Sequence, residues 1–561
     1  MVRLYQKHNI RKEKELDGLW SFTKCGDQNT TYSLAVPGCW EAHPDLRTYR
    51  GKGFYQRNIY IEEETNLRFI FKGVSHTCEV YFDDKSICCH YNAYTPFDVI
   101  VPRVSKGTHS IRVYVDNSFH ESSALHKPND YYTYGGIIRP IEVEYLKDVF
   151  VERVQFIPEK SECGWIGKIK ILVRNLSEQE FRGTIAGFLD SERELFSEAL
   201  CLAGTETKEI SMSMEFPEVE AWCHANPALY FLCVRIMQDN KIIDDEIERI
   251  GFRTVEARGN RILLNGEEVF LKGFNRHEDH AIFGAALPLQ SLVEDMELIL
   301  STGANMIRTS HYPNDERFLD LCDEKGIMVW EENHARALSL EDMMHPNFDE
   351  QCKNCIQEMI LNHYNHPSIV IWAILNECAS HTKEGYQKYK TQFEQIRGLD
   401  SSRLTAFATC QHFKDLCLEL PDVVGVNLYP LWYDDTSPEE CITKELQWIK
   451  EEIKSDKPII VSETGAGAVY GYRSDTCVKW TEERQAIILD KVLEEYTAHS
   501  GLSGVVVWQF CDCRVTEEEW FMVRPKTCNN KGVVDGFRRK KIAYEVVKKH
   551  YQSVKHPYAN D

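Results

Sequence analysis

The sequence predicts three successive domains: a jelly-roll-like β-sandwich over 1–147, an immunoglobulin-like β-sandwich over 148–256 and a (β/α)8 barrel over 257–561. Three observations carry this reading. A chain of 561 residues, 43% hydrophobic and 11% aromatic, can bury several cores. Over its first half apolar residues alternate with polar ones between Gly, Asp and Lys punctuation, the period of half-buried strands. After Arg258 short apolar runs alternate with amphipathic stretches, the rhythm of βα units.

The first domain rests on segments such as Asn58-Ile-Tyr-Ile-Glu, Leu67-Arg-Phe-Ile-Phe and Ser110-Ile-Arg-Val-Tyr-Val. Trp40, Tyr49, Phe54 and Tyr55 add aromatic bulk, and core packing is their expected use. The second rests on Val149-Phe-Val-Glu-Arg-Val, Ile169-Lys-Ile-Leu-Val and Tyr230-Phe-Leu-Cys-Val-Arg-Ile, spaced strands without helices. It carries no chemical motif, so a spacer is expected. Barrel strands are expected at Val269-Phe-Leu-Lys-Gly-Phe, Met306-Ile-Arg-Thr, Ile327-Met-Val-Trp, 369–375, Leu404-Thr-Ala-Phe, Val423-Val-Gly-Val, Ile459-Ile-Val-Ser and Gly504-Val-Val-Val-Trp. The amphipathic stretches between them include 289–300, 316–324, 348–361 and 482–496.

The stretch Ser368-Ile-Val-Ile-Trp-Ala-Ile-Leu-Asn-Glu-Cys reads as a strand buried on both faces that stops at Asn376 and Glu377. In a closed barrel the C-terminal strand ends form the mouth where chemistry sits. Other strands end on Asn275 to Asp279, on His311, on Glu331 and Glu332 with Arg336 beyond, on Asn427 and Tyr429, on Glu463 and on Trp508. Structural need alone does not place polar and aromatic groups at so many strand ends. Glu377 and Glu463 follow strongly apolar strands, the fourth and the seventh. Two carboxyl groups across a cleft are the machinery of glycoside cleavage. One protonates the leaving oxygen and the other attacks or activates water, and a separation of about 5–5.5 Å marks retention.

A net charge of −22 repels phosphate backbones and anionic lipid, so neither nucleic acid nor membrane is an expected partner. No apolar run follows the basic residues of the N-terminus, and no run of 18 apolar residues occurs, so neither export nor a span is expected. Twenty cysteines then read as reduced thiols in the cytoplasm. Cys352 and Cys355 lie close before His363 and His366, but the gap is short for a zinc module, and packing thiols on one helix are expected. His277-Glu278 meets Ala281 where a zinc motif needs its second histidine. Dinucleotide, phosphate-loop and serine-elbow motifs do not occur. Neither metal nor cofactor is expected.

Asn305-Met-Ile-Arg-Thr-Ser-His-Tyr-Pro, continuing to Gly326-Ile-Met-Val-Trp, resembles one signature of the family 2 glycoside hydrolases. Asn365-His-Pro-Ser-Ile-Val-Ile-Trp-Ala-Ile-Leu-Asn-Glu resembles the other, and the resemblance spans nearly the whole chain in the same domain order. It implies a sugar-binding-like first domain, Glu377 as general acid/base, Glu463 as nucleophile and Asn376 at the sugar 2-hydroxyl. Asn529-Asn-Lys531 resembles the Asn-x-Lys with which the β-glucuronidase branch holds the sugar carboxylate. A buried site accepts that carboxylate only with a cation and donors, whereas a neutral galactoside gives no reason for the lysine. Asp130 resembles an aspartate near the sugar 4-hydroxyl, His311, Tyr433 and Trp508 resemble site residues, and Arg524 stands near where glucuronidases place an arginine. Asn427-Leu-Tyr-Pro-Leu-Trp-Tyr departs from the usual Asn-Arg-Tyr-Tyr-Gly-Trp-Tyr, and Arg336 adds a cation past the third strand. The C4 epimer, β-D-galacturonide, is therefore expected instead of or beside β-D-glucuronide. The expected activity is a retaining exo-β-uronidase using double displacement on small-molecule or oligosaccharide β-uronides, with a homo-oligomer as its assembly. A neutral-sugar β-galactosidase and a non-catalytic carbohydrate-binding protein are the alternatives.

Overall fold

The alternating segments of the first domain pair into two antiparallel sheets in the computed structural model, which describes residues 2–27, 29–190, 193–453 and 456–554. The four-stranded sheet runs Lys12–Glu15, Ile141–Leu146, Thr65–Phe71, Phe97–Val104, and the six-stranded sheet pairs Lys52–Ile61 with Gly107–Asp116 at its middle. Period two sends one face of each inward, where Trp20, Phe22, Phe69 and Val113 share a core. Trp40 and Tyr55 are fully buried there, whereas Tyr49 and Phe54 are half-buried. The second domain sets a three-stranded sheet against a four-stranded one around Phe156, Phe216 and Phe252, the expected immunoglobulin-like arrangement.

The C-terminal part closes eight parallel strands into a barrel: β1 (Leu271–Asn275), β2 (Met306–Thr309), β3 (Met328–Glu332), β4 (Ile369–Asn376), β5 (Leu404–Thr409), β6 (Val423–Asn427), β7 (Ile459–Thr464) and β8 (Gly504–Val507). Outside lie α1 (Leu289–Ser301), α2 (Glu316–Lys325), α3 (Leu340–Met343), α4 (Phe348–His363), α5 (Lys383–Leu399), α6 (Pro438–Glu452), α7 (Glu482–Ala498) and α8 (Ile542–Ser553). All eight residues of β4 are buried, since the strand faces both layers. Trp372 and Ile374 pack toward the helices, while Ile371 and Ala373 join Trp330, Ala406 and Ile460 inside the barrel. The βα rhythm fails once. The crossover from β5 to β6, residues 410–422, holds no helix, because it is short and Asp415 ties it down by accepting from Ser380 and Thr409. Two helices follow β3, and a long loop, 508–541, runs from β8 to α8.

Ion pairs join the domains. Near the N-terminus Arg3 donates to Asp320 on α2 at 2.8 Å, and Arg11 reaches Asp244 of the second domain and Glu144 of the first. The first domain also sends its 117–140 segment to the barrel mouth. There Arg139 donates to Glu278 at 2.7 Å, and the Tyr131 hydroxyl meets His334 Nε2 at 2.9 Å. Cys352 and Cys355 are buried packing thiols on α4, while His363 and His366 turn elsewhere, to Glu331 and Asp323. No helix among the described residues is long and apolar enough to cross a membrane.

Barrel closure leaves no room at Gly273, where an added Cβ would sit 1.9 Å from the Met306 carbonyl oxygen. Gly273→Ala is expected to cost about 1–3 kcal/mol, as overpacking does. Calorimetry should show a lowered barrel transition.

Candidate active site

The end of β4 is bent out of line. Leu375 and Glu377 have φ of 34° and 54°, left-handed values that cost a side chain-bearing residue about 1–3 kcal/mol. The register with β5 slips between Ile374 and Asn376, and Asn376, still opposite Ala408 of β5, also pairs with the segment after β3 through N–H to the Ala335 carbonyl at 3.0 Å. This bend aims the Glu377 side chain into the mouth and brings Arg336 beside it, Nη2 to Oε2 at 3.6 Å. Glu377 Oε1 accepts from Asn427 Nδ2 at 2.9 Å.

Glu463 leaves the end of β7 into the same cavity. Its Oε1 accepts from Arg308 Nη1 at 2.9 Å and its Oε2 from the Tyr429 hydroxyl at 2.7 Å. Burial and then the charge of Glu377 push its carboxyl up to about 7, against the pull of Arg308 and Tyr429. A buried carboxyl beside a second negative charge holds its proton toward the neutral range.

Arg308 stands under both. Fully buried on β2, it donates to Glu332 Oε2 at 2.8 Å, Asn275 Oδ1 at 2.8 Å, Glu463, and Asn376 Oδ1 at 2.8 Å. Asn376 Nδ2 has no partner among the described residues. A buried N–H left unmade costs about 1–3 kcal/mol, so this amide is built to meet something. His311 puts Nδ1 2.8 Å from Glu332 Oε1 and stacks on Trp508 at 5.0 Å. Burial and then Arg308 hold its imidazole well below the usual range, hence neutral. With the Nδ1 proton directed at Glu332, Nε2 is a free acceptor 4.0 Å from Glu463.

Lys531 forms the other wall. It is buried, its ammonium lies 3.0 Å from the Tyr433 hydroxyl and about as far from three ring faces as cation–π contact requires. No carboxylate comes within ion-pair distance of it among the described residues. Burial and then Arg524 lower its pKa, the mark of a cation that lacks its anion. Asn529, expected beside Lys531, is turned elsewhere: its Nδ2 donates to Asp130 Oδ2 at 2.9 Å. Asp130 in turn is gripped by Arg524, with Nε to Oδ1 at 3.0 Å and a second contact from Nη2. It lines the cavity as an ion-pair member, because two nearby donors outcompete solvent for a buried carboxylate.

The resulting cavity of about 530 Å³ gathers Glu377, Glu463, Asp130, Arg336, Tyr433, Trp508, Arg524 and Lys531. His412 and Phe413, from the helix-free crossover, reach its outer part. The sequence shows Glu332, Asn427 and Tyr429 only as strand-end residues at the mouth, and it does not single out Arg308. Arg308 had left a signal, a lone cation inside the apolar strand Met306-Ile-Arg-Thr.

An eight-stranded barrel holding two carboxyls in a cavity walled by cations and aromatic rings defines a glycoside hydrolase. Residues 16–147 match the sugar binding domain of glycosyl hydrolases family 2, residues 149–253 the domain that bears the family's name alone, and residues 255–556 its TIM barrel domain. The chain belongs to glycosyl hydrolases family 2. It is 27% identical to a β-glucuronidase of Streptococcus agalactiae, over 97% of each chain. Among solved structures, a family 2 β-galacturonidase from Eisenbergiella tayi bound to galacturonate is 47% identical, with a TM-score of 0.96 over 99% of this chain and 100% of that one. A β-D-glucuronidase from Dictyoglomus thermophilum is 25% identical, with a TM-score of 0.85 over 98% and 99%.

Removing Arg308 would strand the buried Glu332 and Glu463 without their cation. Arg308→Ala is expected to destabilise the barrel by about 3–5 kcal/mol, read from denaturant titration.

Proposed function

We propose that this chain is a retaining exo-β-uronidase that prefers terminal β-D-galacturonides. The observation that carries the reading is Lys531: a buried ammonium on the cavity wall, ringed by aromatic faces and lacking a carboxylate partner among the described residues. A C6 carboxylate supplies the missing charge, and a neutral sugar does not. Arg524, already beside Lys531, adds to the positive wall. Similarity to a galacturonate-bound β-galacturonidase at 47% identity, against 27% to a β-glucuronidase, supports the galacto epimer. Arg336 supports it too. It is anchored through Nη1 to Asn129 Oδ1 at 2.7 Å, while Nη2 projects toward Glu377, where a sugar hydroxyl of altered orientation can meet it.

In this mechanism Glu463 attacks the anomeric carbon while Glu377 protonates the leaving oxygen. A glycosyl–Glu463 ester forms, and Glu377 then takes a proton from the water that hydrolyses it. Arg308 and Tyr429 stabilise the anionic Glu463 that attacks. The unpartnered Nδ2 of Asn376 donates to the sugar 2-hydroxyl, and His311 Nε2 accepts from a neighbouring hydroxyl.

The test is a panel of 4-nitrophenyl β-galacturonide, β-glucuronide and β-galactoside on wild type, Lys531→Ala and Arg336→Ala. Loss of Lys531 should lower kcat/KM on both uronides by about 10–150-fold, as a charge-assisted bond worth about 1.5–3 kcal/mol implies, and spare the galactoside. Arg336→Ala should cost galacturonide more than glucuronide; equal loss would remove Arg336 as the epimer selector. A galactoside preferred by wild type would make Lys531 a structural residue and sink the reading.

The raised Glu463 sets the acid side of the pH profile. Its carboxyl, lifted to about 7, holds its proton below that value and loses it above, and only the anion attacks the anomeric carbon. kcat/KM should therefore rise as pH rises through about 7. A rate already level well below that point would show that burial beside Glu377 does not hold the proton on Glu463.

A further inference from the structure

A second cavity, of about 390 Å³, lies on the reverse side of one wall of the uronide pocket. The stretch 524–531 separates them: Arg524 and Lys531 line the uronide side, while Lys526, Thr527, Cys528 and Asn530 line the other. All three walls of this second space come from different parts of the chain, namely the first domain at Glu41 and Tyr134, the loop after β1, and the loops after β7 and β8. Its floor holds Asp279, 95% buried. Oδ2 accepts from the Tyr134 hydroxyl at 3.1 Å and from the Arg514 N–H at 3.3 Å, whereas Oδ1 has no hydrogen-bond partner among the described residues, and the residue lines the cavity. Its rim is partly exposed and carries Ile282, Tyr470 and Phe537, with the Arg539 guanidinium laid over Tyr470 at 4.2 Å and beside Phe537 at 5.3 Å.

Charge selects the ligand. Burial pushes the Glu41 carboxyl up to about 8, and its two oxygens already accept from the Gly135 N–H at 3.0 and 3.1 Å. Lys541 donates to Asp512 at 2.7 Å, Arg539 to Asp535 at 2.7 Å and Arg514 to Glu517 at 3.0 Å, which leaves Asp279 against the exposed Lys526, one charge of each sign. His280 is lowered by burial and stays neutral. An anion meets the unpartnered carboxylate oxygen and a cation meets the guanidinium groups, so neither is favoured. A neutral ligand with many hydroxyl donors and a flat apolar face suits both the floor and the rim.

We propose that this cavity is a second binding site, for a neutral pyranose, distinct from the uronide pocket. The sugar's hydroxyls donate to Asp279 Oδ1, and its C–H face lies on the side of Phe537 turned from Arg539. Binding here is read without hydrolysis, so its outcome is separate from that of the uronidase reading.

The experiment is saturation-transfer NMR and calorimetric titration of the whole protein with methyl β-D-galactopyranoside, methyl β-D-glucopyranoside and methyl β-D-xylopyranoside. Saturable binding of at least one is expected, unchanged in Glu463→Gln and Lys531→Ala, and about tenfold weaker in Phe537→Ala, the loss of one aromatic stacking contact. Asp279→Asn, which keeps the shape and removes the charge, should weaken it as well. Phe537 is half exposed, so its variant tests the site even if the buried substitution fails to fold. The proposal is overturned if no sugar binds saturably, if binding survives Phe537→Ala, or if it vanishes with Lys531→Ala, which would place the sugar in the uronide pocket. Concentration-dependent self-association that occludes the cavity and excludes every sugar overturns it too.

Discussion

One buried guanidinium governs the barrel mouth. Arg308 sits where water does not reach, and its donors go to four different strand ends: Asn275 on β1, Glu332 on β3, Asn376 on β4 and Glu463 on β7. A planar fork with fixed donor directions can satisfy such a set only when those ends stand at set distances from one another. Lysine, a single point charge, could not. The same contact that relieves the desolvation of Arg308 therefore orients both the asparagine and the carboxylate that a sugar would meet. Precision at the mouth comes from the barrel interior upward and owes little to the surface loops.

The cationic wall is built on the opposite plan. Lys531, Arg524 and Arg336 come from loops, and what steadies them is the first domain, which lends Asn129 to Arg336 and Asp130 to Arg524 and Asn529. A sandwich more than a hundred residues away in sequence thus finishes a pocket that the barrel begins. Asp130 offsets the repulsion between the neighbouring cations Arg524 and Lys531. A uronate entering the pocket adds a second negative group, and the site can then share its cations between the two. Among the described residues the immunoglobulin-like domain contributes no side chain to this cavity, and its Asp244 accepts from Arg11 near the N-terminus.

The three-domain order and the two glutamates were legible because their signals are local. Period-two alternation, apolar runs of strand length and a carboxyl at the end of such a run are all read within ten residues. The helix missing between β5 and β6 was not legible: nothing in 410–422 forbids a helical turn, and it is the hydrogen bonds of Asp415 to Ser380 and Thr409 that hold it as a loop. The same holds for Asn529. Its motif pointed to a sugar carboxylate, yet its amide goes to Asp130, a residue from another domain.

Sequence alone therefore determined which chemistry-bearing residues lie at strand ends, since strand period and burial are set by neighbours along the chain. Only the tertiary structure decided which of them meet. That Arg308 joins four strands, that Lys531 lacks a carboxylate partner among the described residues and that Asp130 pairs with Arg524 all depend on distances between segments far apart in the chain. Electrostatic pairing in a water-poor cavity is decided over a few ångströms of space, and sequence order carries no measure of that space.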